Sequence, residues 1–343
     1  MTITKQIHSK KGACNKHQYS IIIPTYNSKT TLIKLLNSIL ATERHERFEI
    51  IVVDDASTDQ TYQAISGYPI RTIRSSTNRG SAYARNTGAL AAQSSCLIFF
   101  DADIVVQPDT LDRLIACIDG QPENHVYMGV YSDTPVQKNL ISEYKAMLDA
   151  YHWKNIKNHQ VTSFEPRCAI MRKSLFEKAG GFDDTIAGAD VEDYELGYRL
   201  LDLKTRLFVN PEIQVDHHFP TSFHQLFSTM FHRTQSWMQL FKHRKKFDNV
   251  ASTLESALAC GIAGLSGCLL PAIGIDYRAF LGFFCMVSLF IFLFSDFFLY
   301  IFDKKNFGTG IKMTVLHYTI CMLVFWGAMI GLFGRTRKEA FEA

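Results

Sequence analysis

Charge is spread so unevenly along this 343-residue chain that two different surroundings are implied. Residues 1–250 carry 56 of its 69 Asp, Glu, Lys and Arg side chains, whereas the 84 residues 251–334 carry only 8. A run of about 20 mostly apolar residues is long enough, as a helix, to cross a hydrocarbon core of ~30 Å. The rear of the chain offers three such runs, 254–275, 279–302 and 311–333. The first is rich in Gly and Ala, carries Pro271 and is the one open to a re-entrant path. The other two, dense in Phe, Leu, Ile and Met, read as spans. A purely soluble enzyme does not fit this pattern. The formal charge of +3 also lacks the basic footprint of a general nucleic-acid binder.

Five regions follow from the same reading: a polar tail at 1–18, a folded domain at 19–220, an amphipathic basic segment at 221–250, a membrane region of two or three spans at 251–334, and a polar tail at 335–343. Segment 221–250 sets Phe223, Leu226, Phe227, Met230 and Phe231 against His224, His232, Arg233 and the run Lys242-His243-Arg244-Lys245-Lys246. Such a helix suits the headgroup region of an anionic leaflet; packing on the front domain is the other reading of its first half. Three spans place Lys304-Lys305 inside and 335–338 outside, two spans reverse both, and the positive-inside rule does not choose. Asp296, costly within the second span, reads as a helix-pairing or snorkelling residue. Eight cysteines without a CxxC pair indicate neither a disulfide framework nor a zinc site. The first residues lack the apolar core of a secretory signal, so the front domain is expected on the cytoplasmic face of the cell (inner) membrane.

The front domain alternates short apolar runs with amphipathic ones. Strands are predicted at 19–23, 48–53, 70–73, 96–100 and 126–130, and helices at 32–40, 61–65, 81–92 and 110–118. This alternation predicts an α/β fold with a parallel sheet covered by helices on both faces. Ligands of such sheets collect beyond the carboxyl ends of the strands. There the sequence places Pro24-Thr25-Tyr26-Asn27, then Asp54-Asp55, then Asp101-Ala102-Asp103. Two carboxylates around one small residue can divide the work, one toward ribose and one toward a divalent ion on a diphosphate. Hard oxygen ligands with open positions suit Mg²⁺ or Mn²⁺. Asp54 and Asp55 can bond a base edge and ribose hydroxyls. Asn78-Arg79-Gly80 and Arg85-Asn86 bring cations to the diphosphate.

Taken in order, these motifs resemble family 2 glycosyltransferases of the GT-A fold, and the likeness continues through Gly180-Gly181-Phe182-Asp183 and Glu192-Asp193 over residues 19–220. The resemblance implies a GT-A, Rossmann-like nucleotide-diphospho-sugar transferase domain followed by an all-α membrane region. It implies a UDP- or GDP-sugar donor, inversion at the anomeric carbon and a metal-assisted departure of the nucleoside diphosphate. It assigns donor contacts to Pro24, Thr25, Tyr26, Asn27, Asp54, Asp55, Asn78, Arg79, Gly80, Arg85, Asn86, Asp101 and Ala102. Asp103 is the expected metal ligand, joined by one of His217 and His218, with His218 preferred. Asp193 is the expected base, with Glu192 orienting the loop or meeting the acceptor. Tyr144, Met147, Leu148, Tyr151 and Trp153 are either core or acceptor groove, and Arg167 and Arg172 are candidate contacts for an acceptor phosphate.

Processive synthases of this broad family carry Gln-x-x-Arg-Trp after the Glu-Asp pair. Here Arg233-Thr234-Gln235-Ser236-Trp237 lacks the Arg-Trp pair, which favours transfer of a single sugar. The expected acceptor is membrane-held, such as polyprenyl phosphate or a lipid-linked saccharide. A processive exporter and a catalytically silent docking scaffold are the alternatives.

Overall fold

The computed structural model describes residues 17–154, 156, 159–185 and 191–334. Most of the N-terminal tail, the C-terminal tail with the charges at 335–338, and the segment before Glu192-Asp193 lie outside the described residues.

Nine strands among the described residues form one sheet. They are β1 (Tyr19–Thr25), β2 (Phe48–Asp54), β3 (Arg71–Arg74), β4 (Cys96–Phe100), β5 (Ile104–Val106), β6 (His125–Tyr131), β7 (Gln160–Val161), β8 (Cys168–Arg172) and β9 (Arg206–His217). The order is β3-β2-β1-β4-β8-β6-β9-β5, with β7 paired to β9. The first four neighbours are parallel, as expected. The remaining pairings correct the all-parallel expectation: β6 and β9 are parallel, but β8 runs antiparallel to both β4 and β6, and β5 and β7 run antiparallel to β9. Only Asp101, Ala102 and Asp103 separate β4 from β5, too few for a crossover to a parallel neighbour, so β5 does not extend the sheet beside β4 and pairs with β9 instead.

Period-two alternation sorts the strands' side chains into two cores. Ile22, Ile51, Val53, Leu97 and Phe99 face one side; Ile21, Ile23, Ile50, Val52, Ile98 and Phe100 face the other. Helix α1 (Lys29–Leu40) buries Leu32, Leu35, Leu36 and Ile39, followed by the single turn α2 (Thr61–Ala64). Helix α3 (Ser81–Ala91) lies so close to β1 that a Cβ on Gly88 would meet Ile22 Cγ2 at 2.5 Å. That approach brings Arg85, one turn earlier, over the rim of the sheet. Helices α4 (Thr110–Ile118), α5 (Leu140–Lys154), α6 (Lys173–Lys178) and α7 (Glu192–Asp202) complete the domain.

Five further helices follow: α8 (Phe223–Arg244), α9 (Leu254–Leu269), α10 (Tyr277–Leu293), α11 (Ser295–Lys304) and α12 (Phe307–Phe333). Thr253, Asp276 and Asn306 cap α9, α10 and α12 by accepting from the N–H groups of Ser256, Arg278 and Thr309. Two helical segments, Leu254–Ala272 and Phe307–Phe333, are long and apolar enough to cross a membrane. The irregular segment is the second, not the first: α10 and α11 meet at 67°. Phe294, at φ −103° and ψ 17°, leaves the helical region there, and exposed Asp296 sits in the new first turn, where the helix dipole favours a carboxylate.

The stripe on α5 resolves as core. Tyr144, Met147 and Leu148 are buried with Leu226 of α8 and with Phe290, Phe297, Ile301, Leu316 and Ile320 of the rear helices. Trp153 lies in the sheet's own core.

Candidate active site

The tips of β1 and β2 are tied together before any ligand arrives. Asn27, in the left-handed region at φ 49°, accepts from the Thr58 N–H at 2.8 Å, and its own N–H donates to Ser57 Oγ at 2.9 Å. Asp54 is fully buried and committed to local structure: Oδ1 accepts from the Ser57 N–H at 3.1 Å, and Oδ2 lies 3.2 Å from Arg74 Nε. Asp55 divides its carboxylate. Oδ2 accepts from the N–H groups of Arg79 and Gly80 at 2.9 and 2.6 Å, fixing that loop over the rim. Oδ1 is buried with no hydrogen-bond partner among the described residues, as is Oγ1 of Thr25 on the neighbouring strand. Buried polar atoms normally have partners, so this pair is shaped to meet the polar edge of something. Pro24 is buried in β1, and Tyr26 is exposed beside them.

A second cluster is built on Arg85. Its buried guanidinium donates from Nη2 to Asp101 Oδ1 at 2.7 Å and from Nη1 to Glu192 Oε1 at 2.9 Å, with Ser81 Oγ adding a 2.7 Å bond to the same Glu192 oxygen. Arg85 therefore joins the tip of β4 to the start of α7. Asn86, next to it, faces the other way: its amide donates to the Phe182 carbonyl and accepts from the Phe182 N–H, both at 2.8 Å. It clamps the Gly180-Gly181-Phe182 turn. Arg79 lies over the Tyr83 ring at 3.7 Å, and Asn78 accepts from the Gly80 N–H.

The third cluster surrounds Asp103, whose side chain is 45% exposed just beyond buried Ala102. Its Oδ2 lies 3.3 Å from His217 Nε2, and its carbonyl accepts from the His218 N–H at 2.9 Å. Burial pushes the Asp103 carboxyl up, but the His217 imidazole, a backbone hydrogen bond and His218 together hold the group below its ordinary range. His217 is itself stacked on Tyr131 at 4.2 Å. Among the described residues neither ring nitrogen of His218 has a hydrogen-bond partner. An exposed carboxylate beside an imidazole with spare nitrogens fits a hard divalent ion. Among the described residues no three His, Cys, Asp or Glu gather into a cage, so such an ion would complete its shell from phosphate oxygens and water.

Asp193 opens α7 in a buried position. Oδ1 accepts from the Tyr194 N–H at 2.8 Å, and Oδ2 meets Arg233 Nη2 of α8 at 3.3 Å. Its carboxyl is pushed up to about 8, chiefly by burial and with Glu192 and Glu165 adding to it, against the pull of Arg233. A carboxylate poised near neutrality is suited to exchange protons. Behind it, Arg167 is buried between Asp149 at 2.8 Å and Glu165 at 3.2 Å, so its charge is already matched. Arg172 is at the wrong end of the sheet: β8 pairs it with Cys96, at the start of β4, while Cys168 pairs with Phe100 at the rim.

Arg233 and Glu165, whose charges act on Asp193, were not singled out as site residues from the sequence, nor was Lys145, whose ammonium burial pushes down and which lies 3.6 Å from Asp149. Arg233 lies in the degenerate Arg-Thr-Gln-Ser-Trp stretch, where a helical projection shows only one cation on an amphipathic face.

Residues 20–180 match the profile of the glycosyl transferase family 2. This is a family 2 glycosyltransferase domain. An uncharacterized glycosyltransferase of Haemophilus influenzae is 29% identical over 194 residues, 53% of this chain and 61% of that protein. The dolichol-phosphate mannosyltransferase of Pyrococcus furiosus is 31% identical over 133 residues, 36% of this chain and 38% of that one. The chain thus spans less than two thirds of either relative. In three dimensions it is similar to the mannosyltransferase PcManGT from Pyrobaculum calidifontis, solved with GDP-Man and Mn²⁺. That match has a TM-score of 0.57 at 17% identity and covers 93% of this chain and 88% of that one. The shared architecture is the GT-A fold: a mixed, Rossmann-like sheet followed by helices.

Proposed function

We propose that the protein is a membrane-associated inverting glycosyltransferase that moves one sugar from a UDP- or GDP-sugar to an acceptor held at the membrane. The observation that carries this reading is Asp193, a buried carboxylate with one oxygen on an arginine of α8, adjacent to the Glu192 that Arg85 ties to Asp101 at the tip of β4.

The geometry supports the following roles. Asp55 Oδ1 and Thr25 Oγ1 receive the polar edges of the nucleoside. Asp101, fixed by Arg85, faces the ribose and diphosphate. Asp103 and His218 would hold a Mg²⁺ or Mn²⁺ ion, which neutralises charge on the departing diphosphate. Asp193 takes the proton from an acceptor hydroxyl as its oxygen attacks the anomeric carbon opposite the leaving group, and Glu192 holds the loop that presents it. Polyprenyl phosphate or a lipid-linked saccharide suits a domain whose base is reached from α8, and the dolichol-phosphate mannosyltransferase relative acts in such chemistry by its name. The missing Arg-Trp pair supports single transfer over processive synthesis.

A screen of UDP- and GDP-sugars with purified protein in detergent, with and without divalent metal, tests the reading. Metal-dependent donor turnover is expected, and Asp193→Asn should abolish transfer to a hydroxyl acceptor. No turnover of any donor, or full transfer to a hydroxyl acceptor by that variant, overturns it.

A further inference from the structure

Both ends of α12 are fastened to the catalytic domain's side of the molecule. Just before it, Lys304 pairs with Asp133, beyond the end of β6, and Lys305 Nζ lies 2.7 Å from Glu143 Oε2 in the first turn of α5. At the other end the Gly334 carbonyl accepts from Lys242 Nζ of α8 at 3.2 Å. Two residues further along α8, Arg244 pairs with Glu195 and Asp202 of α7.

Between its ends α12 lies along α8. A Cβ on Gly327 would sit 2.9 Å from the Phe231 carbonyl oxygen, and one on Gly331 would sit 2.5 Å from that of Gln235. Two glycines four apart let helix backbones approach this closely. Farther back, Tyr144 of α5 meets His317 Nδ1 at 2.9 Å. With 27 residues α12 is about 40 Å long, and a helix crossing a ~30 Å core must deliver its ends to opposite faces. These ends stay on one face. The 67° break between α10 and α11 fits the same plan, because it turns the chain toward α5, where Tyr151 packs on Phe297 and Tyr300.

The outer faces of α9, α10 and α12 nevertheless expose Leu258, Phe284, Phe292, Val315, Ile330 and Phe333. So extensive an apolar face on a soluble protein marks a contact surface. Its neighbour α8 ends in exposed Lys245 and Lys246, which suits anionic headgroups.

We propose that helices α8–α12 seat the protein in the single leaflet nearest the catalytic domain, with α12 lying along the bilayer and no segment crossing it. The seat rests on the membrane attachment proposed above and is independent of the sugar chemistry. It gives a third answer to the count of spans, since neither two nor three crossings leave both ends of α12 on the same side as the domain.

Cysteine labelling of the full chain with a membrane-impermeant maleimide tests it, in inside-out and right-side-out membrane vesicles, with the wild-type chain as background. Asp303→Cys and Arg335→Cys, flanking α12, are both expected to label in inside-out vesicles and to lose labelling in right-side-out ones. Gly274→Cys, between α9 and α10, is expected to stay unlabelled in right-side-out vesicles. Two crossings predict outside labelling of Gly274→Cys and Asp303→Cys; three predict it for Gly274→Cys and Arg335→Cys. Either result overturns the seat. A protease-sensitive epitope inserted after Gly274 gives the same readout without relying on thiol reactivity, and its cleavage from outside overturns the seat equally. A wild-type chain recovered in the soluble fraction overturns the attachment itself, while donor turnover in detergent tests the chemistry separately.

Discussion

Arg233 of α8 holds the carboxylate of Asp193 of α7, Nη2 to Oδ2, at 3.3 Å. A helix that packs on the apolar rear of the chain therefore reaches the candidate base directly. The sign of its effect is set by the groups around Asp193: burial, Glu192 and Glu165 push the carboxyl up to about 8, and Arg233 opposes them. Because a base must be ionised, kcat/KM is expected to rise with pH through a window near 8. Arg233→Gln moves that limb to higher pH, and Arg233→Lys restores part of the shift. Profiles that superimpose would remove Arg233 from the site.

The same shift makes an opposite prediction for stability. The folded-state pKa of Asp193 lies above its ordinary value of 3.8, so the folded form binds this proton more tightly than the unfolded chain. The contribution is complete below about pH 4 and is lost as pH rises toward 8. Thermal melts across that window should show a falling limb in the wild type that is flatter in Asp193→Asn. Equal slopes in the two proteins would mean that the carboxyl is not perturbed.

Asp193→Asn keeps the shape of the side chain and removes its ability to take a proton. A loss of about 10²–10⁴-fold in kcat toward a hydroxyl acceptor is expected, with donor affinity unchanged. A phosphate dianion needs no base, so a polyprenyl phosphate acceptor would lose far less. Comparing the two acceptors in steady-state assays separates them. Equal activity of variant and wild type toward hydroxyl acceptors would eliminate the base role.

Much of this site was legible in the sequence, because apolar runs ending in carboxylates mark strand tips, and the tips of β1, β2 and β4 do converge. What could not be read was direction and partnership. A doubly buried strand such as Cys168–Arg172 is apolar whichever way it runs, so the antiparallel β8 was invisible, and with it the displacement of Arg172 from the rim. Asn86 sits in a family motif yet bonds the Phe182 backbone, which only the fold reveals. The break at Phe294 carries neither Pro nor Gly to announce it. Arg233 is one cation among several on α8 until α7 is placed beside it.

His217 lies where it would support the proposed metal site without filling it. It lies against Asp103 and stacks on Tyr131, while His218 has no hydrogen-bond partner on either ring nitrogen among the described residues. His217→Phe preserves the stacking and removes the bond to Asp103. Partners that orient a metal ligand are worth about 10–100-fold in metal affinity, so the Mn²⁺ concentration giving half-maximal donor turnover should rise by that factor. His218→Ala should raise it at least as far. An unchanged Mn²⁺ titration in both variants would detach this pair from the metal.

Arg85 offers a test of the scaffold. Its buried guanidinium is the shared partner of Asp101 and Glu192, whose side chains are 27% and 4% exposed. Removing one member of a buried pair leaves an uncompensated charge, at a cost of about 3–5 kcal/mol. Arg85→Gln is expected to lower stability by that order in urea titrations and to weaken donor binding. A stability within about 1 kcal/mol of wild type would show that the cluster is solvated rather than interlocked.

Gly331 tests whether the rear helices reach the chemistry. A Cβ there would stand 2.5 Å from the Gln235 carbonyl oxygen and 2.9 Å from Gln235 Cα, backbone atoms that cannot swing aside. Gly331→Leu must therefore push α12 and α8 apart, with an overpacking cost of about 1–3 kcal/mol. Gln235 is two residues from Arg233, so displacing α8 draws the guanidinium away from Asp193. The variant should show the same alkaline shift in its pH–rate profile as Arg233→Gln, with donor affinity retained. Gly261→Leu, on α9 with none of the described residues within 4 Å of its would-be Cβ, should leave the profile unmoved and serves as the control. If Gly331→Leu is destabilised but keeps the wild-type profile, α12 braces α8 without setting the charge of the base.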